Sequence, residues 1–313
     1  MSKFIFILNS PPLRTGSLVK KMKAAIIGDL AVDNIVYQDI SFQKGGNLLL
    51  EDIQTYPGGV AGNIAFYLKQ CGIEPVVYSA VGDDEEGKFL TDDLKERKIS
   101  TEHVKVLKGK TGFLIIIVDS SGERTMIGSK GAAYAFNISS RNIVSSSPSW
   151  IHISGYVLLG KYGNDVWKAA VSSSKKLNIP LSLGLEGIHK GKFDDVDTAS
   201  ILLCNRMEFE NFFNDGFDEV AKKAKTKIVV KADREGCYIL DGNVKRIEGE
   251  RVQKVIDTTG AGDAFDAALI ASLLKYRDLE ESCKVANLFA AQKVKKRGNK
   301  VIFSRSMLSK YFR

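Results

Sequence analysis

The sequence predicts an α/β protein, a three-layer α-β-α sandwich in which a mostly parallel central sheet is covered by helices on both faces. Short apolar runs that are typical of buried strands alternate along the chain with longer segments of helical periodicity. Alternation of this kind favours parallel strands joined by crossover helices. We place strands at residues 23–27, 76–81, 114–118, 150–153, 201–203 and 228–230, and helices at residues 63–70, 87–97, 165–176, 217–224, 264–275 and 279–294.

Two segments, residues 35–56 and 108–129, break this alternation. In both segments a strand-like alternation of residues is interrupted by polar residues and glycines. Within the second segment, Ser120-Ser121-Gly122 suits a hairpin turn. No low-complexity linker separates them from the rest of the chain. We therefore expect residues 22–313 to form one domain with a small inserted β-sheet.

Composition indicates a globular protein of the cytoplasm. The 313 residues are 44% hydrophobic, enough for a large core, and no apolar stretch approaches the roughly 18 residues that a membrane span needs. The four cysteines lie far apart and the three histidines show no ligand spacing. This spacing argues against a zinc site and against a disulfide framework, and it agrees with a reducing compartment.

Positive charge is concentrated at the two ends of the chain. The formal net charge is +8, with +5 on residues 1–23, +8 on residues 293–313 and −5 between them. A basic tail can indicate nucleic-acid binding, but no pattern of stacking aromatic residues accompanies this one. We expect no nucleic-acid partner and no membrane partner.

The first 21 residues are treated separately. Their apolar run, residues 4–8, is shorter than a signal-peptide core, and Pro11-Pro12 interrupts the segment after it. The first predicted strand begins at Lys23, directly after Met22. We expect either that Met22 is the natural start or that residues 1–21 form a loosely held, disordered extension.

The run from Val255 to Phe265, V-I-D-T-T-G-A-G-D-A-F, is the most informative string in the chain. Its glycines, Gly260 and Gly262, precede the predicted helix at residues 264–275. Backbone N–H groups at a helix N-terminus lack intrahelical partners and attract anions, and glycine lets a phosphate come close. Asp263 adds a base beside this cradle. Phosphoryl transfer to a hydroxyl requires that combination.

The string resembles the C-terminal signature of the ribokinase-like (PfkB) carbohydrate kinases, and further landmarks of that family follow in order between Lys23 and Gly298. They are Pro57-Gly58-Gly59-Val60-Ala61-Gly62-Asn63, Val81-Gly82-Asp83-Asp84-Glu85-Glu86-Gly87 and Asn205-Arg206-Met207-Glu208. The resemblance implies a ribokinase-like fold in which segments 35–56 and 108–129 form a lid over the sugar. In relatives this lid often also forms a dimer interface.

The resemblance also implies roles for individual residues. Asp263 would be the general base, and the backbone of Gly260, Ala261 and Gly262 would form the anion hole. Asn205 and Glu208 would help to hold Mg²⁺ through water, although an Asn-x-x-Glu spacing also suits a capping box. The acceptor sugar would contact Asp33, Gly58, Gly59 and Asn63, although Asp33 could be a turn residue and Asn63 a helix cap. A monovalent cation, K⁺, would lie near Asp257 and Thr259, and the nucleotide near Lys231, Asp233, Gly236, Asn287 and Gly298.

Four departures from the family pattern bear on the substrates. Asp233 replaces a glycine beside the nucleotide, and Gly184 stands where relatives commonly have an aspartate after the strand near Leu181. Ala31 and Val60 also replace polar residues, which disfavours ribose. We expect an ATP- and Mg²⁺-dependent kinase for a hydroxyl of a small sugar. The alternatives are a nucleoside or inositol kinase and a non-catalytic sugar sensor, which Asp233 alone favours.

Overall fold

A computed structural model describes residues 22–41, 43–189, 195–275 and 277–312. The predicted extension at residues 1–21 lies outside them. The strands are β1 (Lys23–Ile27), β2 (Ala31–Tyr37), β3 (Gln54–Gly58), β4 (Glu74–Gly82), β5 (Val104–Leu107), β6 (Thr111–Val118), β7 (Arg124–Gly131), β8 (Trp150–Ile153), β9 (Leu181–Gly184), β10 (Ile201–Asn205), β11 (Lys227–Lys231), β12 (Cys237–Leu240) and β13 (Val244–Ile247).

The helices cover the larger of two sheets. They are α1 (Val60–Gln70), α2 (Glu85–Glu96), α3 (Ser140–Ser145), α4 (Gly155–Leu158), α5 (Gly163–Leu177), α6 (Arg206–Phe213), α7 (Phe217–Lys223), α8 (Ala261–Leu274), α9 (Leu279–Lys293) and α10 (Arg305–Phe312). Each of the six predicted helical segments corresponds to one of them, with ends that agree to within three residues, and the other four in the described ranges were not predicted. None of the helices in the described ranges is long and apolar enough to cross a membrane.

The large sheet has the strand order β13-β12-β11-β10-β9-β8-β1-β4-β5. Pairing is parallel from β5 through β11, whereas β12 pairs antiparallel with β11 and β13 pairs antiparallel with β12. The mostly parallel sheet is thus confirmed. Strands β12 and β13, which form this antiparallel part of the sheet, were not predicted.

Both faces of the large sheet are buried. Along β1, Ala24 and Ile26 pack into one hydrophobic cluster, whereas Ala25 and Ile27 pack into another. Side chains alternate across a strand, so the two clusters lie on opposite faces. Helices α1, α8 and α9 contribute to the first cluster, and α3 and α5 to the second. The three-layer α-β-α sandwich is therefore confirmed.

A small four-stranded sheet, in the order β3-β2-β6-β7, forms the second sheet. Strands β2 and β6 pair in parallel, and the outer pairs are antiparallel. Its strands come from the two segments predicted to break the alternation, although β2 begins at Ala31, four residues before the predicted boundary. We call this sheet the lid.

The carboxyl ends of the parallel strands meet at one edge of the large sheet, the edge that is formed by strand ends and not by an outer strand. Strand β1 leads there to Asp29, β8 to Ser154, β10 to Asn205 and β11 to Lys231. Ligands of open α/β sheets bind outside this edge. The fold thus collects most of the predicted site residues at one edge of the sheet, beside the lid.

Candidate active site

Helix α8 begins in a conformation that suits glycine. Gly260, the N-cap, has a left-handed φ of 77°, and a Cβ at this position would overlap the backbone of Asn299. Among the described residues, no side chain caps this helix end. Gly262 differs, since an added Cβ would meet only the Lys231 ammonium group at 3.5 Å. The protein leaves the space beside Gly262 open, as a cradle for an anionic ligand requires.

Asp263 lies in the first turn of α8 and is tied to the opposite helix. Nδ2 of Asn63 donates a hydrogen bond of 2.8 Å to Oδ2 of Asp263. Desolvation by the surrounding protein raises the pKa of Asp263 to about 6, against the lowering effect of the Asn63 hydrogen bond. A carboxyl group with this pKa is largely ionised at neutral pH yet basic enough to accept a proton.

Asp33 forms a second buried carboxyl group beside Asp263. It lies in the middle of β2, and its Oδ2 accepts a hydrogen bond of 2.6 Å from Nδ2 of Asn299. Burial raises the pKa of Asp33 to about 7, and the negative charge of Asp263 adds to the rise. Because Asp33 lies within a strand and Asn63 within helix α1, the structure does not support the turn and cap interpretations.

Gly58 and Gly59 bring the backbone up to these carboxyl groups. A Cβ on Gly58 would overlap the Asp33 carboxylate. At Gly59, which has a φ of 82°, it would overlap the carbonyl oxygen of Asp29. Glycine is required at both positions because the protein itself fills the space. This reason differs from the close approach to sugar that the resemblance implied.

Several buried polar atoms in this region have no partner among the described residues. Burial costs free energy for an unpaired polar atom, so such atoms point to a ligand. Asn299 donates a hydrogen bond to Asp33, and Asn63 donates one to Asp263. Asp29 lies close enough to Asp33 for its charge to raise the Asp33 pKa. The atoms are Oδ1 of Asp29, Oδ1 of Asp33, Oδ1 of Asn63 and Oδ1 of Asn299.

A second charged cluster surrounds Lys231 at the end of β11. Its Nζ lies 2.9 Å from Oδ2 of Asp266, whose side chain is buried. Burial alone would lower the pKa of Lys231, but the carboxyl groups of Asp266, Glu208 and Glu186 raise it overall. Burial, with the nearby charge of Glu208, raises the pKa of Glu186 to about 8. Lys231 therefore keeps its positive charge next to the Gly262 cradle.

Glu186 also accounts for the unexpected Gly184. A Cβ on Gly184 would overlap the Glu186 carboxylate, which accepts a 2.9 Å hydrogen bond from the backbone N–H of Gly155. Glu186, two residues further along the chain, thus supplies a carboxyl group at this strand end. A glycine at position 184 is what makes room for it.

Asn205 and Glu208 form a reciprocal capping box at the start of α6. Oδ1 of Asn205 accepts from the backbone N–H of Glu208, and Oε2 of Glu208 accepts from the backbone N–H of Asn205, both at 2.8 Å. The structural interpretation of the Asn-x-x-Glu motif is therefore realised. Oε1 of Glu208 is not used in it, so the water-mediated metal role of this pair stays a prediction.

Three of the residues predicted to lie near the nucleotide, Asp233, Gly236 and Asn287, lie next to strands β12 and β13. Gly236 has a φ of 94°, and a Cβ there would overlap the carbonyl oxygen of Ile247. Asn287 donates to the carbonyl oxygens of Ile247 and Glu248 at 3.2 and 3.0 Å. Asp233 is exposed and has a left-handed φ of 49°, a conformation that explains why glycine suits this position.

Asp257 organises the turn before the cradle. Its Oδ2 accepts hydrogen bonds of 2.8 Å from both the Tyr37 hydroxyl and the backbone N–H of Gly298, and its Oδ1 accepts one of 2.7 Å from the backbone N–H of Thr259. The ammonium group of Lys293 lies here too, 2.7 Å from the Asp257 carbonyl oxygen. Gly298 thus joins the Asp257 turn.

The lid contacts the same turn through Arg124, on β7. Its Nη1 donates to both the carbonyl oxygen and the hydroxyl of Thr258, at 3.1 and 3.0 Å. Thr258 Oγ1 in turn donates to the carbonyl oxygen of Gly122 at 3.0 Å. The tip of the β6–β7 hairpin is therefore docked on the segment that leads into the cradle.

Comparison with known proteins agrees with this arrangement. A model of the pfkB family of carbohydrate kinases matches residues 21–303. The chain belongs to this family. An uncharacterized sugar kinase of Archaeoglobus fulgidus is 29% identical over 253 residues, which cover 77% of this chain and 99% of that protein. The bifunctional protein HldE of Campylobacter concisus is 26% identical over 301 residues, covering 90% of this chain and only 63% of that protein.

The fold of this pfkB family kinase also matches solved structures. The adenosine kinase of Sinorhizobium meliloti superposes with a TM-score of 0.80 at 23% identity, covering 93% of this chain and 98% of that one. The ribokinase-like fold is thereby confirmed. Family membership makes the chain a kinase that acts on a small, sugar-like substrate.

Sequence reasoning missed several residues of the pfkB site. Asp266 directly follows the signature, three residues after Asp263, and it could have been found from this spacing and its apolar surroundings. Glu186, Asn299 and Lys293 carried no motif of their own. Only the fold brings them to the site, from loops and a helix end distant in sequence.

Proposed function

We propose that this chain is an ATP- and Mg²⁺-dependent kinase that phosphorylates a primary hydroxyl of a small sugar, with Asp263 as the general base. The observation that carries the proposal is the placement of Asp263. Its carboxylate lies in the first turn of α8, beside the Gly260 to Gly262 cradle, and it contacts Asn63, one of the side chains with an unpartnered buried oxygen.

The acceptor hydroxyls would be held by Asp33, Asn63 and Asn299. Each of these side chains has one polar atom engaged by a neighbour and another, Oδ1, without a partner in the described part of the chain. Sugar hydroxyls donate hydrogen bonds and would satisfy such acceptors. Asp263 would then remove the proton of the hydroxyl that receives the phosphoryl group, because its pKa near 6 leaves it ionised at neutral pH.

The phosphoryl group of the donor would lie on the N-terminus of α8. Unpaired N–H groups of Gly262 and neighbouring residues, aligned with the helix dipole, stabilise negative charge that develops there. Lys231 adds a positive charge on the other side of the same space, 3.5 Å from where a Gly262 side chain would begin. Together they supply the electrostatic stabilisation on which phosphoryl transfer depends.

The charges around Lys231 fit a magnesium ion. Three carboxyl groups, from Glu186, Glu208 and Asp266, act on a single lysine there, and their mutual repulsion contributes to the raised pKa of Glu186. Mg²⁺ keeps several waters and binds through one or two carboxylates and the donor phosphates, so carboxyl groups of this cluster would hold it through water. When bound, the ion would offset phosphate charge.

A nucleoside acceptor is the second candidate, and one feature of the lid favours it. Asp33, Leu114 and Gly128 are paired neighbours across β2, β6 and β7, so they lie on one face of the lid, as do Ile116 and Met126. Leu114 is half-buried, and Met126, although on the same face as Asp33, is 42% exposed. An apolar surface beside a hydroxyl-binding carboxylate could accommodate a nucleobase.

A coupled assay of ADP release with Mg-ATP tests the proposal, using pentoses, hexoses, inositol and nucleosides as acceptors. We expect one class of acceptor to raise turnover well above background, and Asp263→Asn to lower that turnover by about two orders of magnitude or more. ATP binding should persist in the variant. Selective turnover of nucleosides would establish the second candidate instead. Turnover of no acceptor with ATP, GTP or ADP would favour the sensor interpretation and make Asp233→Gly the variant to examine.

A further inference from the structure

Lys293 is the last residue of α9. Its side chain is completely buried against the turn around Asp257 that leads to the anion cradle. Its Nζ donates to the carbonyl oxygen of Asp257 at 2.7 Å and to that of Lys296 at 3.4 Å. It also lies 3.8 Å from Oδ1 of Asp257, and both side chains are 0% exposed. The ammonium group of Lys293 thus occupies the position beside Asp257 and Thr259 where the family resemblance implied a monovalent cation. Burial lowers the pKa of Lys293 to about 8, so the group is mostly charged at neutral pH.

The surroundings of this ammonium group are those that a buried cation requires. Two carbonyl oxygens and a carboxylate face it, and the C-terminus of α9, where the helix dipole favours positive charge, provides the lysine itself. The Asp257 carboxylate is held in turn by N–H and O–H donors from Thr259, Gly298 and Tyr37. The oxygens that would bind an alkali ion are therefore already engaged by a positively charged group.

A second cation cannot share this position. The ammonium group occupies the space next to the Asp257 carbonyl oxygen, and two like charges a few ångströms apart in a dry interior repel each other strongly. The residues therefore do not fit a K⁺ ion. They fit a protein that carries the charge on its own chain.

The charge also lies where it affects the cradle. The backbone N–H groups of Ile256 and Asp257 donate to the carbonyl oxygen of Val294, at 2.8 and 3.3 Å, so the turn is anchored to the end of α9. The carbonyl oxygen of the next residue, Thr258, accepts the backbone N–H of Ala261 at 3.1 Å, in the first turn of α8. Asp257 belongs to this chain of contacts, and the ammonium group of Lys293 neutralises its buried carboxylate.

We propose that the ammonium group of Lys293 replaces the monovalent cation at Asp257, holds the turn that presents the α8 cradle, and makes this kinase independent of K⁺. Lys293 is thus a positioning residue, which acts through Asp257 and the turn. The turnover readout of this inference rests on the proposed function. Its stability and nucleotide-binding readouts do not.

The test compares the wild type with Lys293→Ala and Lys293→Met in choline chloride and in KCl, each at about 100 mM so that charge screening is equal. Three quantities are measured: the melting temperature, the affinity for Mg-ATP, and turnover with the best acceptor. Alanine leaves a cavity beside the carbonyl oxygens that a cation can enter, whereas methionine fills it with an apolar chain of nearly the same length. Lys300→Ala serves as the control, because Lys300 is also buried and paired with a carboxylate, Asp93, at 2.9 Å.

We expect all three quantities of the wild type to be the same in both salts. In choline, Lys293→Ala should lose at least about tenfold in turnover, as expected for lost hydrogen bonds to a charged group, and its melting temperature should fall. KCl should restore both in Lys293→Ala and in neither Lys293→Met nor Lys300→Ala. A merely structural lysine would give no such selective recovery.

Two results would overturn the inference: wild-type melting temperature or nucleotide affinity that rises with KCl, or a folded Lys293→Ala that matches the wild type in choline. If Lys293→Ala folds only in KCl, the cation has replaced the lysine, which supports the inference. If it folds in neither salt, Lys293→Arg is measured instead. A folded arginine variant that does not depend on K⁺ supports the inference, because only the charge is then needed. An arginine variant that depends on K⁺ contradicts the inference. An enzyme that turns over no acceptor contradicts the proposed function alone, because the first two readouts still apply.

Discussion

Nδ2 of Asn63 donates a 2.8 Å hydrogen bond to Oδ2 of Asp263, and this contact joins the first turns of helices α1 and α8 across 200 residues of sequence. It fixes the carboxylate of the proposed base relative to Asn63, one of the side chains with an unpartnered buried oxygen. It also stabilises the ionised form of Asp263 against the desolvation that raises its pKa. The same amide group therefore orients the base and tunes its basicity.

Replacing Asn63 should move the acidic limb of the pH–rate profile. In the wild type we expect kcat/KM to fall in two steps, first near pH 7 as Asp33 takes up a proton and then near pH 6, the pKa of Asp263. Loss of the hydrogen bond in Asn63→Ala removes a contribution that lowers this pKa, so the limb should shift to higher pH. Asn34→Ala, on strand β2 with a surface contact to Thr55, is the control. An unshifted limb in Asn63→Ala would contradict the role of this hydrogen bond.

Asp263→Asn should be more stable than the wild type at pH 8. The folded-state pKa of Asp263, about 6, lies above the unfolded value of 3.8, so folding disfavours its ionised form. The wild type therefore loses stability as the pH rises from about 4 to about 6, whereas the amide variant does not. Urea unfolding at pH 8 and pH 4 measures the difference, which should vanish at the lower pH. A variant that is less stable at pH 8 would contradict the prediction.

Gly58→Ala should damage substrate binding without unfolding the protein. The new methyl group would overlap the Asp33 carboxylate and push it away from Asn299, so we expect a KM for the acceptor about tenfold higher, the loss of roughly one charge-assisted hydrogen bond. Gly216→Ala is the matched control, because a Cβ there meets nothing within 4 Å. Equal acceptor KM values in the two variants would show that the Asp33 position does not depend on Gly58.

The sequence predicted the parts of this molecule that local patterns determine. Hydrophobic periodicity located helices such as α9 to within a residue or two, because each buries a stripe or a whole surface in the core. The glycine-rich string predicted a helix from residue 264, and α8 begins three residues earlier, at Ala261, directly after Gly260, which adopts a positive φ. Both signals lie within a few consecutive residues.

The features that the sequence did not predict depend on contacts between distant segments. Glu186 reaches back over Gly184, and Asn299 reaches Asp33 from 266 residues away. Lys293 looked like one of many lysines in a basic tail, yet the fold buries it against Asp257. Net charge by segment could not separate this lysine from its exposed neighbours Lys295 and Lys296. Burial, which decides its role, is a property of the tertiary structure.

Arg124→Ala should uncouple phosphoryl transfer from protection against water. Arg124 and the Gly122 carbonyl oxygen hold the lid hairpin on Thr258, close to the cradle. Without them the lid should close less completely, so that water competes with the acceptor for the transferred group. We expect turnover with the acceptor to fall about tenfold and ATP hydrolysis without acceptor to rise, since bonds from a charged donor are lost.

A graded series makes the lid prediction specific. Thr258→Val removes the hydroxyl that Arg124 and Gly122 share but keeps the Thr258 carbonyl oxygen, so its effect should be smaller than that of Arg124→Ala. Arg141→Ala, at an exposed arginine on α3, should leave both rates unchanged. The ratio of acceptor-independent hydrolysis to transfer is the quantity to measure. If Arg124→Ala slows both reactions equally, Arg124 stabilises the transferred charge directly, and exclusion of water by the docked hairpin is not its role.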